Sequence, residues 1–218
     1  MAQVFKESAN TLARASILIT VTMLLIGSGL ATALYRSPYV TQVGVAKEQT
    51  IPFSHQRHVA GNGIDCRFCH TSPETGSFAG IPPTETCMTC HSQVLTEASL
   101  IQQMQGSWDS GAPLTWTRVT DLPDFVYFDH SAHVANGIGC TTCHGEVDQM
   151  PLTWKANTFH MSWCLECHRS PERFVRPKES IFDVKWQTPP DQLEQGARLV
   201  AEYGINKQQL TDCSVCHR

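Results

Sequence analysis

The chain has no cysteine to spare. All ten of its cysteines fall in Cys-x-x-Cys-His strings, so none is left over to build a disulfide framework. It also has no basic stripe. The formal charge of −4 and the scattered lysines and arginines exclude an ordinary nucleic-acid surface. Beyond residue 36 there are few long apolar runs with a helical or strand period, and Pro82-Pro83, Pro113, Pro123, Pro151 and Pro189-Pro190 interrupt what remains. A conventional protein core and an extended sheet are both excluded by that shortage.

The five strings are Cys66/Cys69/His70, Cys87/Cys90/His91, Cys140/Cys143/His144, Cys164/Cys167/His168 and Cys213/Cys216/His217. Cys-x-x-Cys-His is the attachment sequence for c-type haem. The two thiols become thioethers to the vinyl groups, and the adjacent His takes one face of the iron. Zinc sites and redox dithiols also use Cys-x-x-Cys, but neither requires a His directly after the second Cys every time. Five covalently bound c-type haems are therefore expected. At that haem density the porphyrins themselves must supply much of the core. The expected fold is mainly irregular with short α-helices: a multihaem cytochrome c domain behind one N-terminal transmembrane helix.

Five histidines lie outside the strings: His55, His58, His130, His133 and His160. Each iron with a proximal His needs a sixth ligand or stays open. Four of the five occur in a repeated phrase, FSHQRHVAGNGIDCRFCH at 53–70 and FDHSAHVANGIGCTTCH at 128–144. Each copy sets a Phe-x-His-x-x-His pair just ahead of a string, which points to axial ligation. The fifth distal position falls in Phe159-His160-Met161-Ser162-Trp163-Cys164, where a thioether and an imidazole compete.

The stretch 128–217 resembles the small trihaem cytochromes of the class III multihaem family. That resemblance implies that the first His of each pair serves the haem that follows it and the second serves the next one. Carried over, His130 goes to the haem on His144 and His133 to that on His168. His55 goes to that on His70, and His58 to that on His91. The haem on His217 is left for the 159–164 segment. A wider likeness is carried by GIDCRFCH, IPPTETCMTCH, DLPDFVYFDHSAHV, MSWCLECHR and TDCSVCHR. In these the chain resembles the pentahaem cytochrome c subunits of alternative complex III. The family's Met-x-Trp-Cys phrase implies Met161 as the fifth distal ligand, with His160, a departure from the family pattern, as the alternative. The resemblance implies partners as well: an integral-membrane quinol subunit, an iron–sulfur subunit, a monohaem cytochrome c, and a soluble electron acceptor or oxidase. Quinol chemistry falls to the integral-membrane partner, because one helix cannot build a buried quinone pocket.

Residues 15–35, ASILITVTMLLIGSGLATALY, carry no charge and are long enough to span a hydrocarbon core. Ala31-Thr32-Ala33 resembles a signal-peptide cleavage site. The segment is present in this chain, and a retained anchor is the reading taken. Flanking charges hardly orient it. Haem attachment outside the cytoplasmic membrane puts the N-terminus inside and the haem domain on the periplasmic side. The expected organisation is a cytoplasmic segment 1–14, an anchor 15–35, a linker 36–52, a dihaem unit 53–91, a connecting segment 92–127 and a trihaem unit 128–218.

Away from the strings, 191–203 is the best helix candidate, with Asp191 as cap and a broken apolar face of Leu193, Ala197, Leu199, Val200 and Tyr203 directed at haem. Arg173, Arg176 and Lys178 read as a solvated basic loop. Pro-Leu-Thr-Trp recurs at 113–116 and 151–154 without an evident purpose beyond docking Trp116 and Trp154.

Three functions compete. An electron-transfer subunit of a quinol-oxidising membrane complex needs every iron saturated. A nitrite or hydroxylamine enzyme needs an open iron, which the ligand count opposes. A free-standing tetrahaem quinol dehydrogenase carries a Met two residues after one haem His. Here Ser72, Gln93, Glu146 and Ser170 stand at that offset. The first reading is taken, with no catalytic residue in this chain. Mass spectrometry of the intact chain should find five haem groups above the polypeptide mass, with residues 15–35 retained.

Overall fold

The structure, a computed structural model, describes residues 5–217. The start of the expected cytoplasmic segment, residues 1–4, and the final Arg218 lie outside the described residues. The chain divides into two units, Met1–Val43 and Gly44–Arg218.

The first unit is built on α1, Glu7–Arg36. Its 30 residues make a helix of about 45 Å, against a hydrocarbon core of about 30 Å. Helix begins ahead of the uncharged run, inside the stretch read as a cytoplasmic segment. Ser16, Ser28 and Thr32 turn their hydroxyls back onto the carbonyls of Ala13, Leu25 and Ser28, so these three side chains are satisfied within the helix. The helix is long and apolar enough to cross a membrane, which makes it compatible with an anchor. Ser37 leaves the helical conformation ahead of Pro38, which opens the single turn α2, Pro38–Thr41.

The second unit is short helices joined by irregular chain. In order they are α3 (Cys66–Cys69), α4 (Thr84–His91), α5 (Ser99–Ser110), α6 (His130–Ala135), α7 (Cys140–His144), α8 (Met161–Arg169), α9 (Gln192–Glu202) and α10 (Cys213–Cys216). A π-helical turn at Gln56–Gly61 and 3-10 turns at Val147–Gln149, Pro171–Arg173 and Lys178–Ser180 complete the list. Among the described residues there is no strand, and pairing is limited to one isolated antiparallel bridge between Ala46 and Trp154. The mainly irregular, helical architecture expected from the sequence is what is found.

Apolar packing is sparse. Ile51, Met88, Ile101 and Met104 form one buried cluster, flanked by Cys87, Leu114 and Trp116. Val175, Leu199 and Val200 form another, flanked by Ile138, Tyr203 and Ile205. Two elements differ from the sequence reading. A 12-residue helix, α5, stands in the connecting segment. Its Ile101 and Met104 face the core, and Gly111 ends it in the left-handed conformation. No side chain caps its start, and so no start signal marks it in the sequence.

The other difference is the face of α9. Leu193 is 63 % exposed, while Gln192, Gly196, Leu199 and Val200 are buried. The helix lies on the 3-10 turn Pro171–Arg173 and the chain just after it. The Gln192 side-chain amide donates to the carbonyls of Glu172 and Val175. Asp191 occupies the N-cap position without a side-chain hydrogen bond. Gly196 permits this approach: a Cβ there would run into the backbone of Glu172. Gly196→Ala should therefore lower stability by about 1–3 kcal/mol through overpacking. Gly106→Ala on α5, where nothing lies within 4 Å, should be neutral or stabilising. Thermal denaturation of the two variants side by side reads the difference.

Candidate haem-binding site

Each Cys-x-x-Cys-His string folds as a turn of helix, which sets the two cysteines at i and i+3 on one face. The turn closes when the His accepts its place at its end. His70 N–H donates to Cys66 O at 2.9 Å, and His217 N–H to Cys213 O at 2.8 Å. Asp65 caps the first string by accepting from Arg67 N–H, and the Arg67 guanidinium returns to the same carboxylate. That ion pair holds the Asp65 carboxyl below the usual carboxylate range.

The duplicated phrase has one geometry used twice. Phe53 stacks on His58, with ring centres 4.3 Å apart and planes at 28°, and meets His55 edge-on at 4.9 Å and 87°. Phe128 does the same to His133 at 4.5 Å and 28°, and to His130 at 4.7 Å and 88°. The phenyl ring thus holds both histidines of its pair. Gly63 and Gly137 both adopt positive φ, at 68° and 78°, and bring Ile64 N–H onto His58 O and Ile138 N–H onto His133 O. The recurrence of Phe and Gly-Ile beside the histidines follows from these contacts.

The histidines of the pairs meet histidines of the strings. Ring centres are 6.4 Å apart for His130 and His144, with planes at 3°. They are 6.1 Å apart for His133 and His168, at 38°, and 6.1 Å for His58 and His91, at 64°. A metal–imidazole bond is about 2 Å long, so two rings on opposite faces of one metal have centres about 6 Å apart. For His55 the strongest charged neighbour is His70, and burial together with His70, His58 and His144 lowers its pKa to about 4. Burial, then His130 and His70, lowers that of His144 to about 4 as well. Burial also lowers His133, against a hydrogen bond to the Asp129 carbonyl. These imidazoles are neutral at neutral pH, the form that binds a metal.

Tautomer is settled by hydrogen bonding. A carbonyl only accepts, so an Nδ1 against a carbonyl carries the proton and leaves the Nε2 lone pair for a metal. Nδ1 of His70 donates to Gly80 O at 2.7 Å, that of His91 to Val94 O at 3.1 Å and that of His168 to Leu210 O at 2.7 Å. Nδ1 of His217 donates to Phe125 O at 3.0 Å. Nδ1 of His58, His130 and His133 donates to Ser54 O, Ser77 O and Asp129 O. A facing pair of imidazoles, beside two thiols on one helical face, fits a covalently attached haem.

The segment expected from the sequence to supply a fifth distal ligand sits at the start of α8. Phe159 has φ of 53°, a costly conformation for a bulky residue, and its ring meets Trp163 edge-on at 4.8 Å. This turn makes His160 the half-buried N-cap and Met161 the exposed first helical residue.

Strings that are not consecutive in the chain also neighbour one another. The Cys66 and Cys140 thiols lie close enough to perturb one another, which puts the first string beside the third. Cys69 lies within electrostatic reach of Cys87 and Cys90. Burial pushes Cys143 up to about 12, with Cys167 and Cys164 adding to it, and Cys164 feels Cys216.

One residue of the site escaped the sequence reading. Arg176, assigned to a solvated loop, is only 5 % exposed. Its guanidinium donates to the hydroxyls of Thr141 and Thr142 inside the third string and to the carbonyls of Ser180 and Asp183. Its Nε is buried without a partner. Gly139 makes the room, since a Cβ there would meet the guanidinium. The Gly-Ile-Gly ahead of Cys140 is the sequence signal for that close approach. Burial lowers the Arg176 pKa, although the group stays charged.

Comparison with known proteins agrees with this chemistry. Residues 126–218 match the family described as cytochrome c7 and related cytochrome c. The chain is also similar to the "Menaquinone reductase, multiheme cytochrome c subunit" of Nitratidesulfovibrio vulgaris. Identity is 42 % over 146 residues, covering 56 % of this chain and 68 % of that protein. Replacing Arg176 by Met would strand the threonine hydroxyls and carbonyls it satisfies. Arg176→Met should cost about 1–3 kcal/mol, measured as a lower denaturation midpoint of the haem-loaded protein.

Proposed function

From the premise that this chain belongs to the multihaem c-type cytochromes, among the relatives of cytochrome c7, we propose that it is the membrane-anchored electron-transfer subunit of a quinol-linked complex. The proposed complex is of the alternative complex III type, with five haems and the haem domain on the periplasmic side. Its proposed partners are an integral-membrane quinol subunit, an iron–sulfur subunit and a monohaem cytochrome c, and electrons leave to a periplasmic carrier or an oxidase. The observation that supports the reading is the set of facing histidine pairs, spaced as two imidazole ligands of one iron would be.

In this reading each string attaches one haem through its two cysteines, and His70, His91, His144, His168 and His217 are the proximal ligands. His55, His58, His130 and His133 are the distal ligands of the first four, and Met161, with His160 as alternative, completes the fifth. Bound haem supplies a one-electron Fe(III)/Fe(II) couple. The chain's own part is to keep His55, His133 and His144 neutral, to aim Nε2 by fixing Nδ1, and to exclude exchangeable ligands. His58 and His133 each come from ahead of one string and face the His of the next, so each ties two attachment sites together.

A second reading is favoured by the relative's name: a menaquinone reductase subunit, in which electrons enter through this chain and leave to quinone. Both readings share the saturated haems and differ in direction. In the purified complex, menaquinol should reduce the haems promptly, with reoxidation by the soluble acceptor. Prompt quinone reduction by pre-reduced haems, with no reduction by menaquinol, selects the second reading. Carbon monoxide separates both from an enzyme with an open iron. The reduced protein should bind it slowly and well below one equivalent. Rapid stoichiometric binding overturns the electron-transfer assignment.

A further inference from the structure

The repeated Pro-Leu-Thr-Trp has a use in the fold. Residues 44–50 of the linker run past both copies. Gly44 N–H donates to Lys155 O, and Ala46 bridges to Trp154 beside the second copy. Thr50 shares a hydroxyl hydrogen bond with Thr115 of the first copy at 3.1 Å. Gln49 pairs through its side-chain amide with both backbone groups of Thr117, and Lys47 Nζ donates to Arg118 O. Trp116 of the first copy packs on the cluster around Met88. The two copies are thus a pair of extended clamps on one linker, and the second reaches further.

Gln56 N–H donates to Met150 O at 3.1 Å, which lays the chain ahead of Thr153 alongside the first histidine pair. Thr153 Oγ1 then sits 3.0 Å from His55 Nδ1. For seven other histidines Nδ1 meets a backbone carbonyl, and the tautomer follows. A hydroxyl can donate or accept, so it leaves the tautomer of His55 open. Ligation through Nε2 closes it: Nδ1 must carry the proton and Thr153 Oγ1 must accept it. A hydrogen bond accepted from Nδ1–H raises the electron donation of the ring at Nε2 and fixes its plane.

We propose that Thr153 is the positioning residue for His55, and that through it the second Pro-Leu-Thr-Trp sets the orientation and donor strength of the distal ligand on the haem of Cys66 and Cys69. The proposal rests on the reading of His55 as a ligand. Its consequence has a sign. A stronger acceptor at 153 makes His55 a better donor and favours ferric iron, while loss of the acceptor favours ferrous iron.

The test is a redox titration of the haem-loaded full chain followed by optical and electron paramagnetic resonance spectra. Thr153→Val should move one midpoint potential upward and change one low-spin signal, with the other potentials unmoved. Thr153→Asp should move the same potential downward, and Thr153→Ser should restore the wild-type value. Thr115→Val, on the copy that touches no histidine, should move none. If the valine variant does not assemble, the aspartate variant carries the same information with opposite sign. Unchanged potentials in either variant, or a shift spread over several haems, overturn the proposal. His55→Ala reads the ligand assignment separately. A new high-spin haem there, with no effect at Thr153, means that the positioning role alone fails. No high-spin haem means that the ligand reading fails with it.

Discussion

An imidazole offers a metal one nitrogen only when its other nitrogen is committed, and most of this fold is arranged to make that commitment. A carbonyl in a helix or sheet is already used by the ladder, whereas one in irregular chain is free to accept. Gly80, Leu210, Phe125 and Ser77 supply such carbonyls to His70, His168, His217 and His130 from 10, 42, 92 and 53 residues away. The long connections that look unstructured in a list of elements are therefore the parts that orient the rings.

The duplicated phrase shows how local and long-range constraints divide the work. Within each copy the Phe clamp, the positive-φ glycine and the Ile N–H bond repeat almost unchanged. Between copies the support is exchanged. His130 of the second copy leans on Ser77, beside the first copy, and His55 of the first leans on Thr153, beyond the second. Between them the Cys66 thiol is perturbed by Cys140. Reciprocal bracing of this kind ties both copies into one body with very little apolar core.

That sparse core has an energetic counterpart at Arg176. A buried guanidinium with no carboxylate partner is expensive, and four hydrogen bonds to the third string and its neighbours offset the cost. The same residue spans the string and the 3-10 turn at Lys178–Ser180, and so stands where another protein would place leucines. Glycines at 137 and 139 are the condition for it.

The local features were legible in the sequence because they depend on spacing within one turn. Two cysteines three residues apart share a helical face, two histidines three apart share another, and an uncharged run of 15–35 makes a helix wherever it is placed. The helix α5 and the true buried face of α9 were harder to read. The first lacks a capping signal, and the second is set by Gln192 and Gly196, residues whose burial comes from one carbonyl-rich turn. The choice of partner for each Nδ1, the first string beside the third, the burial of Arg176 and the contact from Thr153 to His55 were decided only in the tertiary structure. Each joins residues tens of positions apart through a single hydrogen bond or a missing Cβ, and a backbone carbonyl or a hydroxyl has no periodic pattern by which a sequence can announce its partner.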